Sequence, residues 1–315
     1  MKNKKKSSPY RTTRNSIKVS PLVLAMAGIL PSMAVAEIVV DDRESRRPGV
    51  ATAANGTPLI NINDPNASGV SHNKYNQFNV GRDGVIFNNS MQDGVSQTGG
   101  FAIKNNQLSN EARVILNEVT GARGSHLNGS MEVFGRSADL IIANENGISV
   151  NGVSTVNANN LTLSTGRVNL DQNGNVQLAV DRGHISVEGR GVNTDGLSYF
   201  DIVSRSASLT GEISGNADLK VLAGLNDYDT QSRSHTVRSH SGEGTPQVAI
   251  SGTHLGSMFG NRVQLISTES GAGVTHTGSI LGNNGIEITA DGDIHLASLR
   301  SHSENVVVQG KYLSE

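Results

Sequence analysis

The 315-residue chain has no cysteine and no tryptophan. Five tyrosines and six phenylalanines are its only other aromatic residues, and proline occurs 7 times. Without cysteine there is no disulfide framework, no thiolate zinc site and no cysteine nucleophile. Without tryptophan there is no broad aromatic platform on which sugars stack. No apolar run approaches the ~20 residues that a membrane-spanning helix needs. What is abundant is glycine (36) and asparagine (32), together about a fifth of the chain. The glycines follow no period of three, which excludes collagen. Both residues are poor helix formers and good turn formers, which argues against a stack of amphipathic helices. Plain disorder is excluded as well, because 36% of the residues are hydrophobic and fall in short alternating runs. The length suits one or two domains, or a single repeat array.

The first segment reads as an address. Lys2, Lys4, Lys5, Lys6, Arg11, Arg14 and Lys18 precede the apolar stretch Leu22 to Leu30, with no acidic residue among them. Ala34-Val35-Ala36 then supplies small residues where a signal peptidase reads them. A leader over 1–36 is expected, cleaved between Ala36 and Glu37. Removing its seven cations turns a net charge of −2 into 19 basic against 28 acidic side chains, a net of −9. An acidic exported chain is a poor nucleic-acid binder, since such binding rests on cations that neutralise phosphates.

From about residue 110 one phrase recurs: three to six residues of alternating Val, Ile or Leu, then Gly, Asn, Asp or Ser. Val114 to Val119, Asp139 to Ala143, Ile148-Ser149-Val150, Leu161-Thr162-Leu163, Ile185-Ser186-Val187, Val263-Gln264-Leu265 and Ile286-Glu287-Ile288 are examples. Alternation puts the outer two residues of a triplet on one face of a strand. Val263 to Ile286 is 23 positions and Ile286 to Val306 is 20, a plausible coil length for a solenoid. Short, similar phrases with few aromatic cross-strand pairs favour a parallel β-helix over a sandwich or barrel of hairpins. The polar segment 225–246 is expected to be an insertion loop or hairpin standing off the stack.

The stretch Gly69 to Val80 (GVSHNKYNQFNV), with Gly84 to Ser90 (GVIFNNS), Ala112 to Val119 (ARVILNEV), Gly129 to Gly135 and Ala138 to Gly152, resembles the secretion domain of two-partner-secreted exoproteins. These are the filamentous haemagglutinin-like adhesins, haemolysins and contact-dependent-inhibition proteins, called the TpsA family. The resemblance covers roughly residues 40–310. Two family motifs, Asn-Pro-Asn-Leu and Asn-Pro-Asn-Gly-Ile, map onto Asn105-Asn106-Gln107-Leu108 and Asn144-Glu145-Asn146-Gly147-Ile148. Both prolines are replaced, and Gln107 stands for the second asparagine of the first motif. The matching positions are Asn105, Leu108, Asn144, Asn146, Gly147 and Ile148. The resemblance implies an all-β fold, a right-handed parallel β-helix with extra-helical hairpins. It also implies an N-terminal cap over 37–68 and a secretion module over 69–315, in a family whose exoproteins are usually far longer, so that the sequence reads as a fragment, a disrupted reading frame or a short exported variant of one. The implied partners are the general secretion machinery, signal peptidase and the periplasmic domains of a TpsB-type outer-membrane barrel. The implied location is the cell surface or medium, reached through the periplasm. A host-cell receptor or neighbouring-cell target belongs to the same picture, unnamed.

The residues show no His-Glu-x-x-His, Walker loop or Gly-x-Ser-x-Gly. His235 and His240, with Asp227 and Asp229, have the residue types for a metal, as do Asp291, Asp293 and His295, but solvated loops and an Asp-Gly turn account for them better. No cofactor, metal or enzymatic activity is expected. Two other classes fit less well. A β-helix polysaccharide lyase or hydrolase needs clustered carboxylates or basic residues in a groove, and the acids are scattered. An autotransporter passenger carries its own C-terminal barrel, and these residues hold no such segment.

Overall fold

A computed structural model of the protein describes residues 37–238 and 244–314. The expected leader 1–36, with Ala34 and Ala36, lies outside these residues, as does His240. The described residues form strands and turns and no α-helix. Branched aliphatic side chains suit a pleated, covered surface, and the Gly and Asn between them end each strand after a few residues.

The strands stack in three ladders. The first has ten strands: Ile38–Val40, Val70–Phe78, Val114–Val119, Ala138–Asn144, Ala158–Ser164, Tyr199–Ser204, Asp218–Ala223, Val263–Ser267, Ile286–Ala290 and Val306–Gln309. All neighbours in it run parallel except the first pair. The second ladder passes through Ser125–Leu127, Ile148–Val150, His184–Val187, Ser206–Leu209 and Val248–Gly252, all parallel. The third begins with an antiparallel pair, Gly49–Thr52 with Pro58–Asn61. It continues in parallel through Val85–Asn89, Ser130–Gly135 and Ser154–Val156. The strands Gly273–Gly282 and Ile294–Ser301 pair on both sides of a register shift, between His276 and Ser279, and so serve the second and third ladders in turn. Each coil visits the three faces in order. The architecture is a parallel β-helix.

Inside, identical strand positions form columns. Ile115, Leu140, Leu161, Phe200, Leu219, Val263 and Ile286 are in register from coil to coil and all buried. A single coil leaves both of its open sides to water, so only the stack buries these columns fully.

The column also explains the irregular spacing in the sequence. Leu161 to Phe200 is 39 positions and Leu219 to Val263 is 44. Each long interval ejects a hairpin: Arg167–Leu170 with Val176–Ala179, and Asn226–Asp229 with Ser234–Val237. The two hairpins pair with each other through Gln177–Asp229, Leu178–Tyr228 and Ala179–Asp227, forming a four-stranded plate. The plate lies on the outer face of the first ladder. A second apolar layer, with Leu116, Ile141, Val203 and Leu222 below and Val176, Leu178 and Tyr228 above, fills the contact. The segment 225–246 therefore does not stand off the stack over its described part: Leu225, Asn226 and Tyr228 are buried. Its polar residues satisfy the outer face of the plate, while Tyr228 supplies the buried ring.

Candidate functional site

The two motif segments build the same turn. At the second, the strand Ala138–Asn144 ends on Asn144, whose Oδ1 accepts the Asn146 N–H at 3.0 Å. The Gly147 N–H donates to the Asn144 carbonyl at 3.1 Å, closing a four-residue turn. Gly147 has φ of 104°, a backbone conformation open to glycine, and its ideal Cβ would lie 2.9 Å from the His184 carbonyl. Ile148 then opens the next strand and is buried in the core.

The turn is pinned to the preceding coil. Asn144 Nδ2 donates to the Arg123 carbonyl at 2.9 Å and to Ser125 Oγ at 3.0 Å. Asn146 Nδ2 donates to the Gly121 carbonyl at 2.8 Å, and the Ser125 N–H to the Gly147 carbonyl at 3.0 Å. Asn144 is 1% exposed, so its carboxamide is committed within the folded chain.

At the first motif, Asn105 Oδ1 accepts the Gln107 N–H at 2.9 Å, and the Leu108 N–H donates to the Asn105 carbonyl at 3.3 Å. Asn105 Nδ2 donates to the carbonyls of Ile62 at 2.8 Å and Asn88 at 3.1 Å. Leu108 joins the core. Gln107 is not idle: oriented so that both ends of its amide are satisfied, it donates to the Arg47 carbonyl at 3.1 Å and accepts from the Gly49 N–H at 3.2 Å. It thereby ties the turn to the N-terminal strands. The structure does not bring the two motifs together. The first grips residues 47–64 and 88–90, the second 121–125.

Asn106 and Glu145 occupy the second position of each turn, where proline is favoured in type I turns, and neither N–H makes a backbone hydrogen bond. The turns thus form without the prolines, and a proline at either position would remove no backbone hydrogen bond. Asn106→Pro is expected to stabilise the domain by about 0.4–1 kcal/mol by restricting the unfolded chain, read as a raised urea midpoint at unchanged slope. A lowered midpoint would show that the turn backbone cannot take proline.

Glu37 is exposed, and its carbonyl accepts the Asn79 N–H at 2.9 Å. Among the described residues no group of three His, Asp or Glu is disposed to hold a metal. Asp229 Oδ1 instead accepts the N–H groups of Gln231 and Ser232, Asp227 faces Arg238 at 3.4 Å, and Asp291 faces Lys311 at 3.7 Å. His235 is half-buried opposite Tyr228, and burial pushes its imidazole below the ordinary value.

A cleft of about 160 Å³ opens between the first ladder and the plate, lined by Arg113, Asp139, Asn160, Asn175, Tyr199 and Gln231 among others. Burial raises the Asp139 carboxyl above its usual range. Among the described residues it is the only carboxylate lining the cleft, and these residues assemble no carboxylate pair of the kind glycoside hydrolysis needs.

Two clusters were missed in the sequence. Asn88 and Asn89 are wholly buried at the end of a strand. Asp201, also wholly buried, is held by Arg233 and Tyr228 from the plate.

A family model described as "TPS secretion domain" matches residues 36–296. The chain is 43% identical over 293 residues to "Filamentous hemagglutinin" of Bordetella pertussis, covering 89% of this chain and 8% of that protein. It is 42% identical over 251 residues to "16S rRNA endonuclease CdiA" of Enterobacter cloacae, covering 78% of this chain and 7% of that protein. The chain thus spans less than a tenth of the length of these relatives. Among solved structures, the crystal structure of the filamentous hemagglutinin secretion domain superposes with a TM-score of 0.78 at 42% identity, covering 88% of this chain and 96% of that one.

Proposed function

The chain belongs to the TPS secretion domain family of two-partner-secreted exoproteins, and from that membership we propose that a TpsB-type outer-membrane barrel recognises it through periplasmic domains. The observation that carries this is the match over residues 36–296 together with both motif turns in place. In this reading residues 1–36 are the leader, removed before Glu37 by signal peptidase after export by the general secretion machinery. Residues 37–68 cap the first coil, and 69–315 form the module that directs passage to the surface or medium. The chain crosses extended and winds into coils outside. Each coil that closes buries apolar surface and makes return unfavourable, a bias that needs no nucleotide.

The asparagines of the motifs are committed within the fold, so a transporter meets their carboxamides before the turns close. Extended chain can add to a sheet edge, where backbone hydrogen bonds give affinity and alternate side chains give register. The module itself performs no catalysis. The nuclease activity in the name of one relative belongs to a protein of which the matched stretch is 7%, and we place such activity outside this module. Receptor binding, haemolysis or growth inhibition by a whole exoprotein likewise lies elsewhere.

The test is co-expression with and without the transporter, assaying the medium. Wild type is expected outside only when the transporter is present. The double variant Asn105→Ala/Asn144→Ala is expected to remain largely cell-associated. Secretion of the double variant at wild-type level would end the motif-recognition part, and secretion of wild type without any barrel partner would end the whole reading.

A further inference from the structure

The chain makes one long departure from the stack in its first coils, and a single side chain closes it. In the following coil two residues, 136 and 137, lead from the third-ladder strand Ser130–Gly135 to the first-ladder strand Ala138–Asn144. At the same corner one coil earlier, residues 90–113 intervene between Val85–Asn89 and Val114–Val119. This excursion holds a short hairpin, Gly94–Ser96 with Gly100–Ala102, and then the Asn105 turn.

Asn89 stands where the excursion leaves and is wholly buried. Its Oδ1 accepts the Ala112 N–H at 2.7 Å, and its Nδ2 donates to the Ala112 carbonyl at 2.8 Å. One carboxamide therefore holds both backbone groups of the residue at which the excursion returns. The second Nδ2 proton goes to the Arg136 carbonyl at 2.8 Å, at the matching corner of the next coil. Asparagine is suited to this: two donors and an acceptor on a short stem, where aspartate has no donor and glutamine is a carbon longer. The motif turn hangs on the same corner. The Asn105 N–H donates to the Ser90 carbonyl at 2.8 Å, and Asn88 Nδ2 to the Ile103 carbonyl at 2.8 Å.

We propose that Asn89 is a positioning residue for the secretion motif: its carboxamide clasps the two ends of the 90–113 excursion and so sets the Asn105 turn. This deepens the secretion reading and rests on it for its biological consequence, while the clasp is testable without the transporter. Glu111, Arg113 and Arg136 are the charged residues at the segments Asn89 grips, and none of their side chains bonds it.

The experiment uses the refolded chain and the co-expression assay together. In Asn89→Ala the Ala112 amide, buried and otherwise bonded only to Asn89, is expected to exchange about 10- to 100-fold faster. The amides of Asn105 and Leu108 should follow it, while those of Ile286–Ala290 keep wild-type protection. In Asn89→Asp the carboxylate faces two carbonyl oxygens, so burial and repulsion favour its neutral form. That variant is expected to gain stability as pH falls from 7 to 5, because the protonated acid recovers one donor, whereas loss of packing alone has no such pH profile. Transporter-dependent secretion of both variants should drop. An unchanged Ala112 amide, or an Asn89→Asp midpoint that is flat with pH, overturns the clasp. Altered exchange with wild-type secretion overturns its link to the motif. Absence of transporter-dependent secretion in wild type defeats the secretion reading, and exchange alone then decides the clasp.

Discussion

Arg233→Met is expected to lower the stability of the domain by about 3 kcal/mol, near the value for breaking a buried ion pair from one side. Asp201 lies on the outer face of the first ladder and is 0% exposed. The Arg233 guanidinium grips it with two bonds, Nε to Oδ2 at 3.0 Å and Nη2 to Oδ1 at 2.7 Å. The Tyr228 hydroxyl donates to Oδ2 at 2.5 Å, and burial pushes that phenol up so that it keeps its proton. Arg233 also lies over the Tyr199 ring, 4.2 Å from its centroid, and the Lys220 ammonium donates to its carbonyl at 2.8 Å. Its backbone sits at φ of 56°, unusual for a residue with a long side chain. Without the guanidinium the carboxylate keeps one neutral donor and its full desolvation cost. The double variant Asp201→Leu/Arg233→Met removes both charges and should be less destabilised than Arg233→Met. Urea unfolding of the two variants measures the difference; equal losses would mean that the charge pair does not hold the plate.

Gly191→Ala should have a larger effect, above about 4 kcal/mol, seen as failure to refold into the soluble domain. Gly191 sits at a corner with φ of 63°, and its ideal Cβ would lie 1.7 Å from the carbonyl oxygen of Glu212 in the next coil. That carbonyl accepts the Val192 N–H at 2.8 Å, while the Gly191 carbonyl accepts the Gly152 and Val153 N–H groups. Neither coil can retreat without breaking bonds between coils. Gly196→Ala is the control: φ is 85°, but nothing lies within 4 Å of the added carbon, so only backbone strain of about 1–2 kcal/mol is expected. Similar losses for the two variants would remove the close approach as the cause.

The strands and the corners between them were legible because each is written locally. A triplet such as Ile286-Glu287-Ile288 announces its inner and outer faces, and Asn144 to Ile148 announces a turn. The 23 and 20 position intervals near the C-terminal end were legible for the same reason: nothing departs from the stack there. The plate was not legible as a plate. Val176–Ala179 meets Asn226–Asp229 about fifty positions away, and no local pattern encodes that pairing. A trace of it was present in Ile141-Ile142, Ile202-Val203 and Val221-Leu222, adjacent apolar pairs that only a strand covered on both sides can bury. The site divides similarly. Asn105 and Asn144 stand in recognisable motifs, whereas Asn89 is one asparagine among 32 until the fold shows where its carboxamide goes.

The plate also sets a timetable. Chains are made from the N-terminus, and Leu116 precedes Tyr228, which helps roof the apolar layer over it, by 112 positions. As the chain winds into coils, that layer lacks its lid until those 112 further positions have emerged. Delay in translocation lengthens the interval. Early coils thus begin as sticky intermediates, and any holding factor acting on this chain would have its greatest effect before residue 237 emerges.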